Sequence, residues 1–500
     1  MSRRIAWIGV VFLGLIALVV GQAANLAFFH ASTLNESGYN PRINQSGLTY
    51  ARGDILAADG TVLAQSVPST SSSYPWKRVY PLGALTAGVV GFASPYYGTW
   101  ALEQEYNSTL SAHSQPAQSW SQLINPTQAA SKLVTTIQPA LQRIAQNALG
   151  GRDGAAVVLD PRSGAVLAMY SNPTYDPSGM TDISQTAQTA TWKSITTNNS
   201  HGFPPLGNVA VQQTFPPGST MKVVTTAAAI LNKPELLQKS YPVVVATHLP
   251  TTNNLLYNSG HTPCGGTVVV MLPASCDPGY ALLGLDVGAD GMSNTATAFG
   301  YNQRPPLDLP SVTPAYFPPS SAFQYDLPGL AFSSIGQQNV RATALQNALV
   351  AAGIANGGVI MAPHFMSEIL NADGSIAKSY HAHGWLNPLT SLQAAEIVPL
   401  MRGVVTHGTA SGVGFLYQDQ VAAKTGTAQT GNSHNNTDDW MIAFAPASHP
   451  TVAIAVVVPF QSIDYTGALV AGPIVKCLIE GTLAIQAGLA PTGTSSTCPR

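Results

Sequence analysis

The chain begins with a densely apolar run at residues 5–21, which 22–29 can extend to the ~20 residues a bilayer crossing needs. Arg3 and Arg4 stand ahead of it, and the next charged side chain is Glu36. A positive flank of this kind keeps the N-terminus cytoplasmic and sends the remainder outside. We read an uncleaved anchor at 5–29 behind a cytoplasmic stub of residues 1–4. A cleaved signal peptide is the alternative, because Gln22-Ala23-Ala24 offers small residues to a peptidase. No other segment reads as long and apolar enough to span. From 30 to 152 short apolar runs alternate with polar turns, including a serine-rich loop at 69–73. The pattern then changes. Strand-like runs at 155–159 and 166–170 flank the turn signal Asp160-Pro161-Arg162-Ser163-Gly164. Residues 221–231 read as a helix that Asn232-Lys233-Pro234 stops. Residues 421–428 are small and β-forming, and 440–445 with 451–458 make a further strand pair. A closing helix is expected at 473–487 and a polar tail at 491–500. These elements predict an α/β fold, an antiparallel sheet with helices on both faces, filling residues 153–490 behind a smaller domain at 30–152.

Composition narrows the surroundings. Only 9% of residues are charged, against a usual value of about 25%, and the net charge is −2. No basic run follows Arg4, so nucleic acid is not an expected partner. A charge-poor exterior suits an acidic medium, where surface carboxylates lose their charge and ion pairs a partner. It is equally compatible with a Thr-, Ser- and Asn-rich surface of no special meaning. The four cysteines, outside a membrane, can oxidise. Cys264 and Cys276 are twelve residues apart and are a candidate bridge. Cys477 lies in an apolar pattern and reads either as a buried thiol or as the partner of Cys498. His261 near Cys264 supplies too few ligands for zinc, and no metal or other cofactor is expected.

Ser219 and Lys222 are separated by one helical turn. Pro216-Pro217-Gly218 breaks the chain just before them, which puts Ser219 at a helix N-terminus, where backbone N–H groups and the helix dipole favour negative charge. An activated hydroxyl beside such a site is what acyl transfer requires. Two more polar fragments follow, Ser275-Cys276-Asp277 and Lys424-Thr425-Gly426. Each is weak alone. In this order, with the third on a strand, they resemble the penicillin-binding transpeptidases, relatives of the serine β-lactamases.

The resemblance extends to AAVVLDPRSGAVLAMYS at 155–171, FPPGSTMKVV at 215–224, the segment 332–358, and WMIAFAP at 440–446. YARGDILAADGTVLA at 50–64 and YYGTWALEQ at 96–104 are similar to the pedestal, or dimerisation-type, domain of the monofunctional class B branch. The type implied is actinobacterial, serving elongation or division, without appended C-terminal domains. Nothing resembles a glycan-polymerising site.

The resemblance implies that Ser219 attacks the D-Ala-D-Ala end of a peptidoglycan stem peptide and that Lys222 takes its proton. Ser275 would pass a proton to the departing amine, tuned by Lys424. Thr425 and Thr427 would hold the terminal carboxylate, and Gly426 would let the strand come close. The backbone N–H groups of Ser219 and Thr427 would form the oxyanion hole. Expected partners are stem peptides, β-lactams, the membrane, and a lipid II polymerase with other cell-wall synthesis proteins. Asp277 departs from the family, which has Asn there. Ionised, it only accepts hydrogen bonds; protonated, it would imitate Asn, which calls for an acidic exterior. A D,D-carboxypeptidase and a scaffold with weakened chemistry remain the alternatives.

Overall fold

The structure, a computed structural model, describes residues 2–28, 49–70, 74–114, 128–430 and 436–489. The tail at 491–500, Cys498 and part of the serine-rich loop lie outside the described residues. A 27-residue helix, Ser2–Phe28, comes first. Its described side chains up to residue 24, Trp7, Phe12 and Leu18 among them, are exposed, so the protein itself does not cover them.

Five antiparallel strands carry the larger domain: β1 (Gly154–Leu159), β2 (Val166–Asn172), β3 (Ala422–Gln429), β4 (Asn436–Ala445) and β5 (Val452–Ser462). Their order is β2-β1-β5-β4-β3, which leaves β3 on an edge. The long apolar runs follow from burial on both faces. Ala453, Ala455 and Val457 of β5 join the core on one side, while Ile454, Val456 and Val458 join the core on the other. The first face is packed by the helix Ala344–Ala355, and α1 (Met221–Asn232) and α2 (Asp277–Val287) join the same core. The second is covered by the helix Pro139–Leu149 and by α3 (Gly467–Gln486).

Two sequence expectations change here. The closing helix starts at Gly467 rather than 473, so Pro473 lies inside it and not in its first turn. At 20 residues and mean hydropathy 1.7, α3 is long and apolar enough to span a membrane, contrary to expectation, whereas among the described residues the N-terminal apolar run, Gly9–Asn25, is shorter. With 61% of its apolar stretch buried against the sheet, α3 is a core helix.

The smaller domain is built on a six-stranded sheet in the order Ile376–Ser379, Met366–Leu370, Lys132–Thr135, Ile55–Leu56, Val62–Pro68, Trp76–Val79. Two of its strands therefore come from late in the chain. Beside this sheet, in a protein poor in charge, Glu103 is 0% exposed. Arg52 Nε meets one of its oxygens at 2.6 Å and Arg78 Nε the other at 2.7 Å. Arg52 also donates to Ser111 Oγ and to the Glu103 carbonyl, and Tyr80 OH donates to Glu103. Burial alone would raise the Glu103 carboxyl, but Arg78 and Arg52 hold it below its ordinary value. The cluster joins the segments at 50–64 and 96–104, whose pairing no periodicity reveals.

Candidate active site

A single 3₁₀ turn, Gly218–Thr220, leads directly into α1, and Ser219 sits in it, partly exposed. The turn is held from three sides. Gly336 O accepts from Gly218 N at 2.9 Å, Trp440 Nε1 donates to Pro216 O at 2.9 Å, and Phe215 bridges Ala342. Gly218 has φ +52, a left-handed conformation that a side chain would strain. One turn on, Lys222 is 0% exposed.

Its ammonium has three donors, and all are directed at the second motif: Ser275 O at 2.6 Å, Ser275 Oγ at 3.3 Å and Asp277 Oδ1 at 2.7 Å. Lys424, on β3 and also 0% exposed, donates to the same Ser275 Oγ at 2.8 Å and to Thr425 O at 2.9 Å. The Ser275 oxygen accepts from both ammonium groups, which leaves its own O–H free to donate elsewhere. Ser275 ends the helix Val268–Ala274 in a left-handed conformation, φ 56 and ψ 42. Strain of this kind persists only where the surroundings hold it. A disulfide between Cys264 and Cys276, the residue between Ser275 and Asp277, ties this corner to the strand Cys264–Gly266. No cysteine is free among the described residues, which removes the reading of Cys477 as a thiol.

Burial lowers the Lys222 pKa, with Asp277 opposing. Burial lowers Lys424 well below its ordinary value; Lys222 adds to the fall and Asp277 opposes it. Two buried ammonium groups on one hydroxyl repel each other, so one of their protons is held loosely. Asp277 acts here as an acceptor, paired with Lys222, rather than as the donor that an Asn substitute would supply.

On β3 the glycine has a steric reason. A Cβ on Gly426 would lie 2.8 Å from Pro217 O and 2.9 Å from Thr220 Cγ2, so only glycine lets this strand lie against the Gly218–Thr220 turn. Thr427 Oγ1 accepts from Gly467 N at 2.9 Å, and Thr425 Oγ1 meets Thr409 Oγ1 at 2.7 Å. The structure thus brings Ser219, Lys222, Ser275, Asp277, Lys424 and the Thr425-Gly426-Thr427 strand to one corner. Sequence reasoning missed Thr409, Asn347, which donates to Thr220 Oγ1, and Asn258, which accepts from Asp277 N at 3.1 Å. All three are single polar residues with no motif around them.

With this geometry in place, the comparisons decide the family. The description "Penicillin binding protein transpeptidase domain" matches residues 154–480, and "Penicillin binding protein A dimerisation domain" matches 52–133. The chain belongs to the penicillin-binding transpeptidases. It is 32% identical to the peptidoglycan D,D-transpeptidase PbpA of Mycobacterium tuberculosis, across 97% of this chain and 99% of that protein. Its identity to the protein of the same name from Mycolicibacterium smegmatis is 33%, again over 97% of this chain and 99% of the relative. The fold superposes on penicillin-binding protein A of M. tuberculosis in its penicillin G acyl-enzyme complex with a TM-score of 0.77, at 31% identity, covering 87% of this chain and 99% of that one. The β-lactamase-like fold with an N-terminal dimerisation domain is therefore that of the family.

Proposed function

We propose that the protein is a serine D,D-transpeptidase that cross-links peptidoglycan through an acyl-enzyme on Ser219 and is acylated there by β-lactams. The observation that carries this reading is the convergence of Lys222 and Lys424 on Ser275 Oγ, beside a glycine-bearing strand packed against the Ser219 turn. Ser219 Oγ attacks the carbonyl between the two D-alanines. Its proton goes to the lysine pair, with Lys222 as the base nearest in sequence. Ser275 O–H donates to the departing D-alanine amine and is reprotonated through Lys424. The backbone N–H groups of Ser219 and Thr427 take the oxyanion, and the Thr425 and Thr427 hydroxyls take the terminal carboxylate. An amine from a second stem peptide then attacks the ester and frees Ser219. We further propose that the helix Ser2–Phe28 anchors the chain in the membrane as a single pass, with both domains outside. The chain would work as a monofunctional cross-linker beside a lipid II polymerase.

Incubation of the full-length protein with a stem pentapeptide and an acceptor amine tests the reaction. Mass spectrometry should find a cross-linked product with loss of D-alanine. Trimmed peptide alone would indicate a carboxypeptidase, and neither product would indicate a scaffold.

Asp277 fits as the ionised counter-charge of the cluster. One proton shared by two lysines then balances one carboxylate. Asp277 favours the charged form of both lysines, so Asp277→Asn frees the base at lower pH. The ratio of native to Asp277→Asn acylation by penicillin is therefore expected to fall as pH falls. A ratio that rises on acidification would mean instead that the carboxyl works protonated, as an Asn equivalent.

A further inference from the structure

Behind Thr427 stands a carboxylate that the chemistry above leaves unused. Asp439 on β4 pairs directly with Thr427 on β3, and opposed residues of an antiparallel pair present their side chains on one face. Asp439 is 0% exposed. Neither of its carboxylate oxygens has a hydrogen-bond partner among the described residues. A buried charge without a partner is costly, and the neutral acid avoids that cost.

Few charges surround it. Asp438, next on the same strand, points to the other face, where its carboxylate accepts from Phe460 N at 3.3 Å with Arg341 nearby. Lys424 on β3 is turned toward Ser275. From β5 the opposing residue is Val458, and at the start of α3 the Gly467 N–H is committed to Thr427 Oγ1. Asp464, in the loop ahead of α3, is exposed. Burial, reinforced by Asp438, pushes the Asp439 carboxyl up to about 7; the Thr437 and Thr427 hydroxyls oppose this without reaching hydrogen-bond geometry.

Thr427 Oγ1 already accepts from Gly467 N, so its single O–H is the one donor it can offer. We propose that Asp439 is a positioning residue for the substrate's terminal carboxylate: protonated, it leaves the Thr427 hydroxyl to donate to that carboxylate, and ionised, it captures the hydroxyl and repels the incoming anion. The inference rests on Thr427 as a carboxylate-binding residue. It makes recognition of the acyl donor acid-favoured at a point distinct from the lysine base, and affinity falls as pH rises through the Asp439 titration.

The test is acylation of the full-length protein by penicillin G and by its methyl ester, between about pH 5.5 and 8.5, in native, Asp439→Asn and Asp438→Asn forms. With penicillin G, the native-to-Asp439→Asn ratio of second-order rate constants should fall roughly tenfold from about pH 6 to 8. The change should lie in the dissociation constant rather than in the limiting rate. With the ester, which carries no carboxylate, the ratio should be flat. Asp439→Ala should show the same loss of pH dependence as the Asn form, which guards against a folding defect peculiar to one variant. A flat ratio with penicillin G, an equal fall with the ester, or the same effect from Asp438→Asn would overturn the proposal. Thr427→Val with an unchanged penicillin G dissociation constant would instead remove its premise, that Thr427 binds the carboxylate.

Discussion

Lys222→Ala should reduce penicillin acylation by ~10³-fold or more, because a nucleophile and its base work as a unit and lose nearly all of their effect together. Lys222 lies one helical turn from Ser219 and also reaches Ser275 and Asp277. Removing it costs the base, and it also leaves Asp277 without its cation and Ser275 Oγ with Lys424 alone. Stopped-flow acylation, with thermal melting to confirm that the variant folds, measures the effect. A loss of only a few-fold would transfer the base role to Lys424, whose depressed pKa makes it the alternative proton acceptor.

Glu103→Ala should destabilise the protein by about 3–5 kcal/mol at neutral pH, the cost of breaking a buried ion cluster and stranding its cations. Two guanidinium groups, each 5% exposed, would be left facing one another without the carboxylate between them. The pH dependence has a definite sign. The Glu103 pKa is depressed in the folded state, so its contribution is present above the unfolded carboxyl value. It is lost as pH falls through the folded one. Denaturant unfolding of native and variant protein should therefore differ most near neutrality and converge in strong acid. A difference under ~1 kcal/mol at neutral pH would mean that the cluster acts as an ordinary surface ion pair.

How far the sequence foretold these features depends on how local each one is. The turn before Ser219, the strand bearing Gly426 and the hairpin around Asp160 are local, so breaker residues and β-forming runs expose them. The sequence starts the last helix too late because Pro473 resembles a first-turn proline, whereas packing against β4 and β5 carries the helix on through it. The strands Met366–Leu370 and Ile376–Ser379 join a sheet that begins more than three hundred residues earlier, and nothing in their own pattern names that partner. Shorter separations, 51 and 19 residues, still hide Arg52 from Glu103 and Asn258 from Asp277. Asp439 is inconspicuous for another reason: it sits beside the family-like segment at 440–446, and only the register with Thr427 and the lack of a hydrogen-bond partner among the described residues make it distinctive.

The central claim is that Ser219 forms the acyl-enzyme, and proteolytic mass spectrometry of the full-length protein after penicillin G treatment tests it most directly. One added penicilloyl mass is expected on the peptide containing Ser219, and none in Ser219→Ala. An adduct on another residue, or undiminished labelling of Ser219→Ala, would contradict it.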